Sequence, residues 1–350
     1  MHINRSRFLP AVISTLLLLT ATAAFAQPYA NPYRSVEGWA KLPDGRTWGA
    51  VGDLDVDPDG VHMWAVVRCD ATAPNRFGDE CVDSDLDSIL KFDADGNVVE
   101  SFGGGMFIWP HGIDVDAEGN VWVTDAVADN RVPAGDKRGN QVVKFSPAGE
   151  VLMVLGTPGQ SGSGENQFTS PADVVIGADG AIFVADGHGG VGNNRVVKFD
   201  RNGRFIKAWG KTGYAPGEFR VLHTIAIDQR GRVFVGDRSN NRIQLFTQDG
   251  EFINQWTQYG RPSGIFFDAH DNIYVADSES DDEQNPGWEM GIRIGDANLG
   301  WVYYFVQLPY GDPRSTAGNG AEFVAVDAAG NMYGGEPSPR RMQKYVRARP

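Results

Sequence analysis

Cysteine is scarce in this sequence, since its 350 residues include two. Two thiols are too few for a disulfide-rich miniprotein or for a zinc or iron–sulfur site built from cysteines. Basic residues are also in deficit, with 31 Lys and Arg against 45 Asp and Glu and a net charge of −14. Proteins that bind nucleic acid need a basic footprint, so this balance argues against a nucleic-acid partner.

Long apolar runs are missing after the N-terminal segment, so we expect no membrane span in the mature chain. Residues 1–26 are typical of a cleavable signal peptide. Arg5 and Arg7 precede an apolar run at 8–19, and Ala24-Phe25-Ala26 resembles a cleavage site. We therefore expect a periplasmic or secreted protein whose mature chain begins near Gln27.

Export has a consequence for the two cysteines. Outside the cytoplasm Cys69 and Cys81 can be oxidised, and we expect a disulfide between them. Two free thiols are the alternative.

Helical periodicity is lacking, whereas turn residues are abundant. Gly and Pro together make up 63 of the 350 residues, and 38 aromatic residues argue against disorder. One pattern recurs after position 50: a strand, an Asp/Gly turn, a second strand ending in Asp or Glu, a third strand and a fourth. The first strand and its turn recur at 52–60, 111–119, 172–180, 223–231, 263–271 and 322–330.

Six repeats of four strands predict an all-β fold, a six-bladed β-propeller that forms one domain over residues 27–350. The last repeat stops at its third strand near Tyr345. The N-terminal stretch 36–41 resembles the fourth strand at 206–211. We therefore expect an N-terminal strand to pair into the last blade and close the ring, which removes open sheet edges.

The first strand of each blade lines the central channel, so equivalent positions form a ring. This ring consists of Gly52, His111, Ala172, His223, Ser263 and Glu322. Because alternate blades lie about 120° apart, the two imidazoles and the carboxylate should converge. Catalytic zinc is held by such three-ligand sets with an open fourth position, and non-haem iron uses a similar set. The ring predicts a metal site at His111, His223 and Glu322, with ordinary water-bonded channel residues as the alternative.

Three further side chains are expected near the same face. Arg68 and Arg238 follow second strands and are predicted to bind a substrate carboxylate or amide oxygen. Surface ion pairs with Asp70 or Asp237 are the alternative. His188 also follows a second strand and is predicted to be a base, an acid or a further ligand.

Other recurring features are predicted to have structural roles. The strand-end residues Asp125, Asp186, Asp237 and Asp277 are predicted to accept backbone N–H groups of neighbouring loops. The acidic run 278–283 is predicted to be a solvated loop, with loose calcium binding as the minor alternative. The segment 187–192 matches G-x-G-x-x-G in letters, but it precedes a strand, so we do not interpret it as a dinucleotide site.

The strand Asn241-Arg242-Ile243-Gln244-Leu245-Phe246 resembles an NHL repeat. The segments 109–114, 184–188, 222–226 and 236–242 more specifically resemble the peptidyl-α-hydroxyglycine α-amidating lyase family. At the level of the fold the resemblance covers residues 36–345.

This resemblance implies zinc held by three histidines from alternate blades. Two of them match His111 and His223, and the third falls at Glu322. The family's substrate-binding arginines match Arg68 and Arg238, and its catalytic tyrosine falls at His188. Phe323 occupies the position of a carboxylate next to the third histidine, so the family's structural calcium is not expected here.

Together these patterns predict an exported, monomeric, metal-dependent enzyme for a small-molecule or peptide-derived substrate, with zinc as the expected metal and iron(II) as the alternative. As a lyase it would split the carbinolamide R–CO–NH–CH(OH)–COOH into an amide and glyoxylate. Glu322 and the two ring histidines would hold the metal, the arginines would grip the carboxylate, and His188 would take the hydroxyl proton. A non-catalytic NHL module for a protein or glycan, and a propeller hydrolase or lactonase, are the rival functions.

Overall fold

The computed structural model describes residues 29–43, 45–69, 80–190, 192–307 and 320–348. The expected signal peptide at 1–26 lies outside the described residues. Within them the chain forms 24 strands in six four-stranded sheets. Three short 3₁₀ helices, at Asp129–Arg131, His188–Gly190 and Arg238–Asn240, follow second strands in this part of the chain.

The strands of blades 1 to 3 are β2 (Val51–Val56), β3 (Met63–Val67), β4 (Ile89–Phe92), β5 (Val98–Phe102), β6 (Pro110–Val115), β7 (Val121–Asp125), β8 (Gln141–Phe145), β9 (Val151–Leu155), β10 (Pro171–Ile176), β11 (Ile182–Asp186), β12 (Arg195–Phe199) and β13 (Phe205–Trp209). The strands of blades 4 to 6 are β14 (Leu222–Ile227), β15 (Val233–Asp237), β16 (Arg242–Phe246), β17 (Phe252–Trp256), β18 (Gly264–Phe267), β19 (Asn272–Asp277), β20 (Gly291–Asp296), β21 (Val302–Gln307), β22 (Phe323–Val326), β23 (Met332–Glu336), β24 (Arg341–Arg347) and, from the N-terminus, β1 (Tyr33–Val36).

Each blade is an antiparallel meander in which strands adjacent in sequence are paired. The predicted all-β propeller with six blades is therefore confirmed. Ring closure is also confirmed, because β1 pairs with β24, with Tyr33 opposite Arg347 and Val36 opposite Lys344.

The closing strand, however, ends where we expected it to begin. After Val36 the chain turns at Gly38, whose φ is +64°. Trp39 is buried, with its ring centroid 4.9 Å from that of Tyr333, and its indole N–H donates to the carbonyl of Ala94. This anchoring draws the segment out of the last sheet and over the junction with blade 1, so the predicted strand at 36–41 is wrong in position.

Apolar side chains fill the junctions between neighbouring blades. At the first junction Trp64 and Ile89 of blade 1 pack with Val121 and Phe145 of blade 2. Comparable clusters lie at the other five junctions. A blade alone leaves such a face exposed, and the ring buries it on both sides.

The inner strands depart from regular pairing in blades 1 to 4. Their register with the second strand shifts between 51 and 54, 110 and 113, 171 and 173, and 222 and 224. The inner-strand pairs of blades 5 and 6 run in regular register. A β-bulge turns a side chain out of the normal alternation, and these bulges coincide with ring residues.

Buried aspartates connect the inner strands of neighbouring blades. Asp53 of blade 1 accepts the N–H of Ile113 of blade 2, and Asp173 of blade 3 accepts that of Ile225 of blade 4. Burial raises the pKa of Asp53 well above its usual value, and the neighbouring Asp173 raises it further. Burial also raises the pKa of Asp173 to about 7. These carboxyl groups therefore help to join the blades while lining a channel cavity of about 130 Å³.

The strand-end aspartates have the predicted structural role. Each accepts a backbone N–H of a neighbouring loop, at distances between 2.7 and 3.0 Å; the residues are Asp125, Asp186, Asp237 and Asp277. The last three also form ion pairs with arginines on the next strand. These bonds hold the upper loops, which carry the site, against the blades.

The expected disulfide is confirmed, since Cys69 and Cys81 are bonded and both are buried. In the described residues no helix is long and apolar enough to cross a membrane.

We predict that Asp173→Asn changes the pH dependence of stability. The raised pKa of folded Asp173 contributes stability that is fully present below pH 3.8 and is lost as pH rises through about 7. Between about pH 5 and pH 8 the free energy of unfolding should therefore fall less in the variant, by about 1–3 kcal/mol. Urea unfolding at several pH values measures this. Asp95→Asn, in an exposed turn, is the control, and parallel curves for wild type and Asp173→Asn would contradict the prediction.

A second prediction concerns Asp237, which is fully buried and bonded to the Arg220 N–H and the Arg242 guanidinium. Asp237→Ala leaves the buried Arg242 without its carboxylate and should lower the free energy of unfolding by about 3–5 kcal/mol. Asp249→Ala removes a carboxylate that is 80% exposed and should cost less than about 1 kcal/mol. Equal losses in the two variants, measured by chemical denaturation, would show that the buried contacts do not matter.

Candidate functional site

Two histidines on the bulged inner strands of blades 2 and 4 form the centre of the site. His111 on β6 and His223 on β14 are fully buried, and their ring centroids are 4.8 Å apart. The Nδ1 of His111 lies 2.8 Å from the Ala172 carbonyl, and that of His223 lies 2.6 Å from the Ser263 carbonyl. Each histidine thus donates to the ring residue of the next blade.

These bonds determine where the ring protons are. A carbonyl oxygen accepts only, so Nδ1 carries the proton of each neutral ring and Nε2 carries a lone pair. Both Nε2 atoms are buried and lack a hydrogen-bond partner among the residues that the structure describes. Burial lowers the pKa of both rings, helped by His223 and Arg68 at His111 and by Arg238 at His223. His111 therefore presents a neutral nitrogen donor with no partner among the described residues, and His223 presents one whose described neighbour is the Glu322 carboxylate.

His188 supplies a third imidazole from the loop after β11. Its ring centroid lies 4.6 Å from that of His111 and 5.0 Å from that of His223. One nitrogen from each of the three rings lies within 4.8 Å of the other two, and within the described ranges this is the one metal-type group of three His, Cys, Asp or Glu residues. Burial, with the two neighbouring histidines, lowers the pKa of His188 well below its usual value.

Glu322 lies on the other side of His223. Its Oε1 is 3.1 Å from the Nε2 of His223 and 3.4 Å from Nη1 of Arg238. Burial by itself raises the pKa of Glu322, but the contact with His223 and the proximity of His111 and Arg68 outweigh it and hold that pKa well below its usual range. The Nε2 and the carboxylate oxygen face each other with no proton between them when His223 is neutral, which favours a cation nearby.

Arg68 is the most deeply buried cation of the site, with 1% of its surface exposed. Its Nε donates to the Pro110 carbonyl, and its guanidinium lies 4.6 Å from the centre of the Trp109 ring. Its Nη1 and Nη2 are buried with no hydrogen-bond partner in the described part of the chain. A Cβ on Gly52 would lie 2.8 Å from the backbone carbonyl oxygen of His111, so the ring position of blade 1 needs a glycine because the backbone of blade 2 approaches it closely.

Arg238 is held differently, between two carboxylates. Its Nη1 lies 3.2 Å from Glu279 and 3.4 Å from Glu322. Glu279 also pairs with Arg261, whose Nη1 donates to the backbone carbonyl of Arg238. Alternating charges therefore run from Arg261 through Glu279 and Arg238 to Glu322. The alternative pairing of Arg238 with Asp237 is wrong, because Asp237 binds Arg242. Asp70, the other alternative partner, lies outside the described residues.

The acidic run 278–283 is also not the fully solvated loop that we expected. Ser278 and Ser280 are buried, and Glu279 is paired within the site. Asp277 causes this arrangement, since it accepts the N–H and the hydroxyl of Ser280 and draws the loop down onto the blade.

Phe323 forms the floor of the site. Its ring lies 5.3 Å from that of His223, nearly parallel, and 5.4 Å from that of His111. It also lines the channel cavity that holds Asp53 and Asp173. Phe323 therefore separates the imidazoles above from the aspartates below.

The structure brings together all six residues that the sequence nominated: Arg68, His111, His188, His223, Arg238 and Glu322. It adds Trp109, Glu279 and Arg261, whose roles we did not foresee. A signal for Glu279 was present, because it follows Asp277 by two residues just as His188 follows Asp186. Its hydrophilic neighbours instead suggested an exposed loop.

We predict that the metal-free protein at neutral pH holds His111 and His223 as Nδ1–H tautomers. The carbonyls of Ala172 and Ser263 accept those protons, and burial disfavours a second one. Nitrogen chemical shifts of isotope-labelled imidazoles report the tautomer directly, and the exposed His270 serves as the reference ring. Protonated Nε2 atoms in both buried rings would refute the assignment.

No protein-family model matches the chain. It is 35% identical over 201 residues to a probable peptidyl-α-hydroxyglycine α-amidating lyase of Caenorhabditis elegans, covering 55% of this chain and 53% of that protein. It is 35% identical over 162 residues to the peptidyl-glycine α-amidating monooxygenase of Mus musculus, covering 44% of this chain and 15% of the relative. It is also 34% identical over 159 residues to NHL repeat-containing protein 3 of Mus musculus, covering 44% and 43%.

These alignments span about half, or less, of the relatives' own lengths. Among solved structures the chain is similar to a gluconolactonase from Xanthomonas campestris, with a TM-score of 0.57, 14% identity and coverage of 91% of this chain and 96% of that one. A streptogramin B lyase matches with a TM-score of 0.52, 14% identity and coverage of 90% and 97%. At such identities the likeness shows the fold alone. The chain is thus a six-bladed β-propeller whose homologues include NHL repeat-containing proteins and peptidyl-α-hydroxyglycine α-amidating lyases.

Proposed function

We propose that this protein is a metal-dependent propeller enzyme that cleaves α-hydroxyglycine carbinolamides, R–CO–NH–CH(OH)–COOH, into an amide and glyoxylate. The observation that carries the proposal is the convergence, in one buried site, of three imidazole rings and of a guanidinium whose two terminal nitrogens lack a partner among the described residues. The first group of atoms suits a metal ion and the second suits a carboxylate. The names of the relatives point to the same reaction.

The residues present fit a divalent ion. The Nε2 atoms of His111 and His223 are fixed as lone-pair donors by the bonds at Nδ1, which is the arrangement that orients metal-binding histidines. Zinc, or iron(II), binds neutral imidazoles of this kind. When bound, the ion would supply Lewis-acid polarisation of a substrate oxygen.

Arg68 would bind the substrate carboxylate. Its pinned Nε and its stacking on Trp109 hold the guanidinium plane in one orientation. Nη1 and Nη2, which lack a partner among the described residues, can then make two parallel bonds to a carboxylate. Arg238 would support this binding through its buried Nε, which lacks a partner among the described residues, while its Nη1 holds Glu322.

Two side chains remain for two roles, a third metal ligand and an acceptor for the hydroxyl proton. The sequence pattern assigns Glu322 as ligand and His188 as proton acceptor. Both lie beside the two ring histidines, so the site contains every type of group that the reaction needs.

An export location is consistent with the disulfide between Cys69 and Cys81, since such bonds persist in oxidising compartments. We propose a periplasmic or secreted enzyme. N-terminal sequencing of the protein from its native compartment, with a start near Gln27, tests this location.

A glyoxylate-release assay on an α-hydroxyglycine peptide tests the proposed reaction. Metal-loaded protein should release glyoxylate, and chelation should abolish the release. Arg68→Gln should lower kcat/KM about 10- to 100-fold, mainly through KM, because a charge-assisted bidentate contact is lost. Arg230→Gln, in an exposed turn at the far end of β14, is the matched control.

The rival function is a non-catalytic NHL module, which the match to NHL repeat-containing protein 3 favours. Absence of glyoxylate release from the metal-loaded wild type would support it. A protein or glycan partner that still binds after loss of His111, His223 and Glu322 would support it further.

A further inference from the structure

The proposed reaction leaves two roles to two side chains, and the geometry distinguishes between them. We infer that the sequence-based assignment is reversed: His188 is the third metal ligand and Glu322 is the acceptor of the substrate proton. This inference rests on the proposed function and deepens it. It is argued from the positions of four side chains: His111, His188, His223 and Glu322.

The three imidazoles form the tighter set of three, although the shortest single contact between possible ligand atoms is the 3.1 Å from Glu322 Oε1 to His223 Nε2. Their ligand nitrogens all lie within 4.8 Å of one another, whereas the described residues yield no such group that includes Glu322. Nitrogens that share one zinc ion lie roughly 3.4 Å apart, given Zn–N bonds of about 2.1 Å. A small inward adjustment of the rings is therefore sufficient for all three to bind one ion.

The ligands would then come from the consecutive blades 2, 3 and 4 and occupy one half of the ring. The other half would stay open, with Arg68 of blade 1 and Glu322 of blade 6 on that side. Three neutral donors leave the ion its full charge and a free position, as in catalytic zinc sites. A glutamate ligand would reduce that charge.

Glu322 is held beside this half-ring. Its Oε1 contacts the Nε2 of His223 at 3.1 Å, and Arg238 anchors the same oxygen at 3.4 Å. Arg68 also lowers the pKa of Glu322, so the guanidinium that would bind the substrate carboxylate interacts electrostatically with Glu322. A glutamate that acts as base beside a three-ligand metal is an arrangement that zinc peptidases also use.

The step then balances without an oxidant or reductant. The hydroxyl proton of the carbinolamide moves to Glu322, and the O–H electron pair becomes the second bond of the new C=O. The C–N bond breaks, and its electron pair goes to the amide nitrogen, which takes the proton back from Glu322. The products are the amide and glyoxylate, and Glu322 is regenerated.

Zinc binding tests the assignment independently of turnover. Full-length wild type, His188→Gln, Glu322→Gln and the control His270→Gln are loaded with zinc. Zinc content, affinity and the number of bound imidazoles are then measured, the last by X-ray absorption. Wild type, Glu322→Gln and His270→Gln should each hold one zinc with three imidazoles. His188→Gln should hold zinc through two imidazoles, with affinity reduced at least about 10-fold.

Turnover provides the second readout. Glu322→Gln should keep its zinc and its affinity for glyoxylate, but lose about 10²–10⁴-fold in kcat, as expected for loss of a general base. Thermal melts check that the variants fold, and His188→Asn serves as a second substitution if His188→Gln does not.

The assignment would be overturned if Glu322→Gln lost its zinc and the wild type bound zinc without three imidazoles. Unchanged zinc affinity in His188→Gln, or a wild type that takes up no zinc, would also overturn it. A wild type with three zinc-bound imidazoles that releases no glyoxylate would instead refute the proposed reaction while leaving His188 as a ligand.

Discussion

The site depends on one repeated hydrogen bond, from Nδ1 of a ring histidine to the carbonyl of the ring residue in the next blade. This bond determines the tautomer, the orientation of the ring and the direction of the Nε2 lone pair. It requires two conditions that the fold supplies. A bulge turns His111 and His223 out of strand alternation, and the closed ring holds the neighbouring carbonyl at hydrogen-bond distance.

The arginines around these rings differ in whether a carboxylate pairs with them. Arg238 is neutralised by Glu279 and Glu322, and Arg261 shares Glu279 with it. Arg68 stands outside this series and has only a backbone carbonyl and an aromatic ring as its described partners. The site therefore keeps one buried guanidinium available, which suits a ligand with a single carboxylate.

Phe323 divides the axis of the propeller into two environments. Above it lie neutral imidazoles next to arginines, and below it lie aspartates whose pKa values burial has raised. The aspartates bond to backbone N–H groups of the next blade, so they act as joints between blades. The channel thus joins the blades at one end and carries the candidate site at the other.

The amino-acid sequence determined the number of blades, the closure of the ring and six members of the candidate site, because strand alternation and turn residues are local properties that repeat at a regular spacing. The ring position alone selected His111, His223 and Glu322. The same local rules assigned the structural role of the strand-end aspartates. A carboxylate at the same position in four blades accepts backbone N–H groups of the neighbouring loop in each of them.

Only the tertiary structure decided which site residues contact one another. The chain could not show that Glu279 reaches Arg238, because their contact joins a loop of blade 5 to a loop of blade 4. It also could not show that a nitrogen of His188 lies within 4.8 Å of a nitrogen in each of the other two imidazoles. Such distances depend on how far each loop folds over the channel, and packing between blades, rather than spacing along the chain, sets that distance.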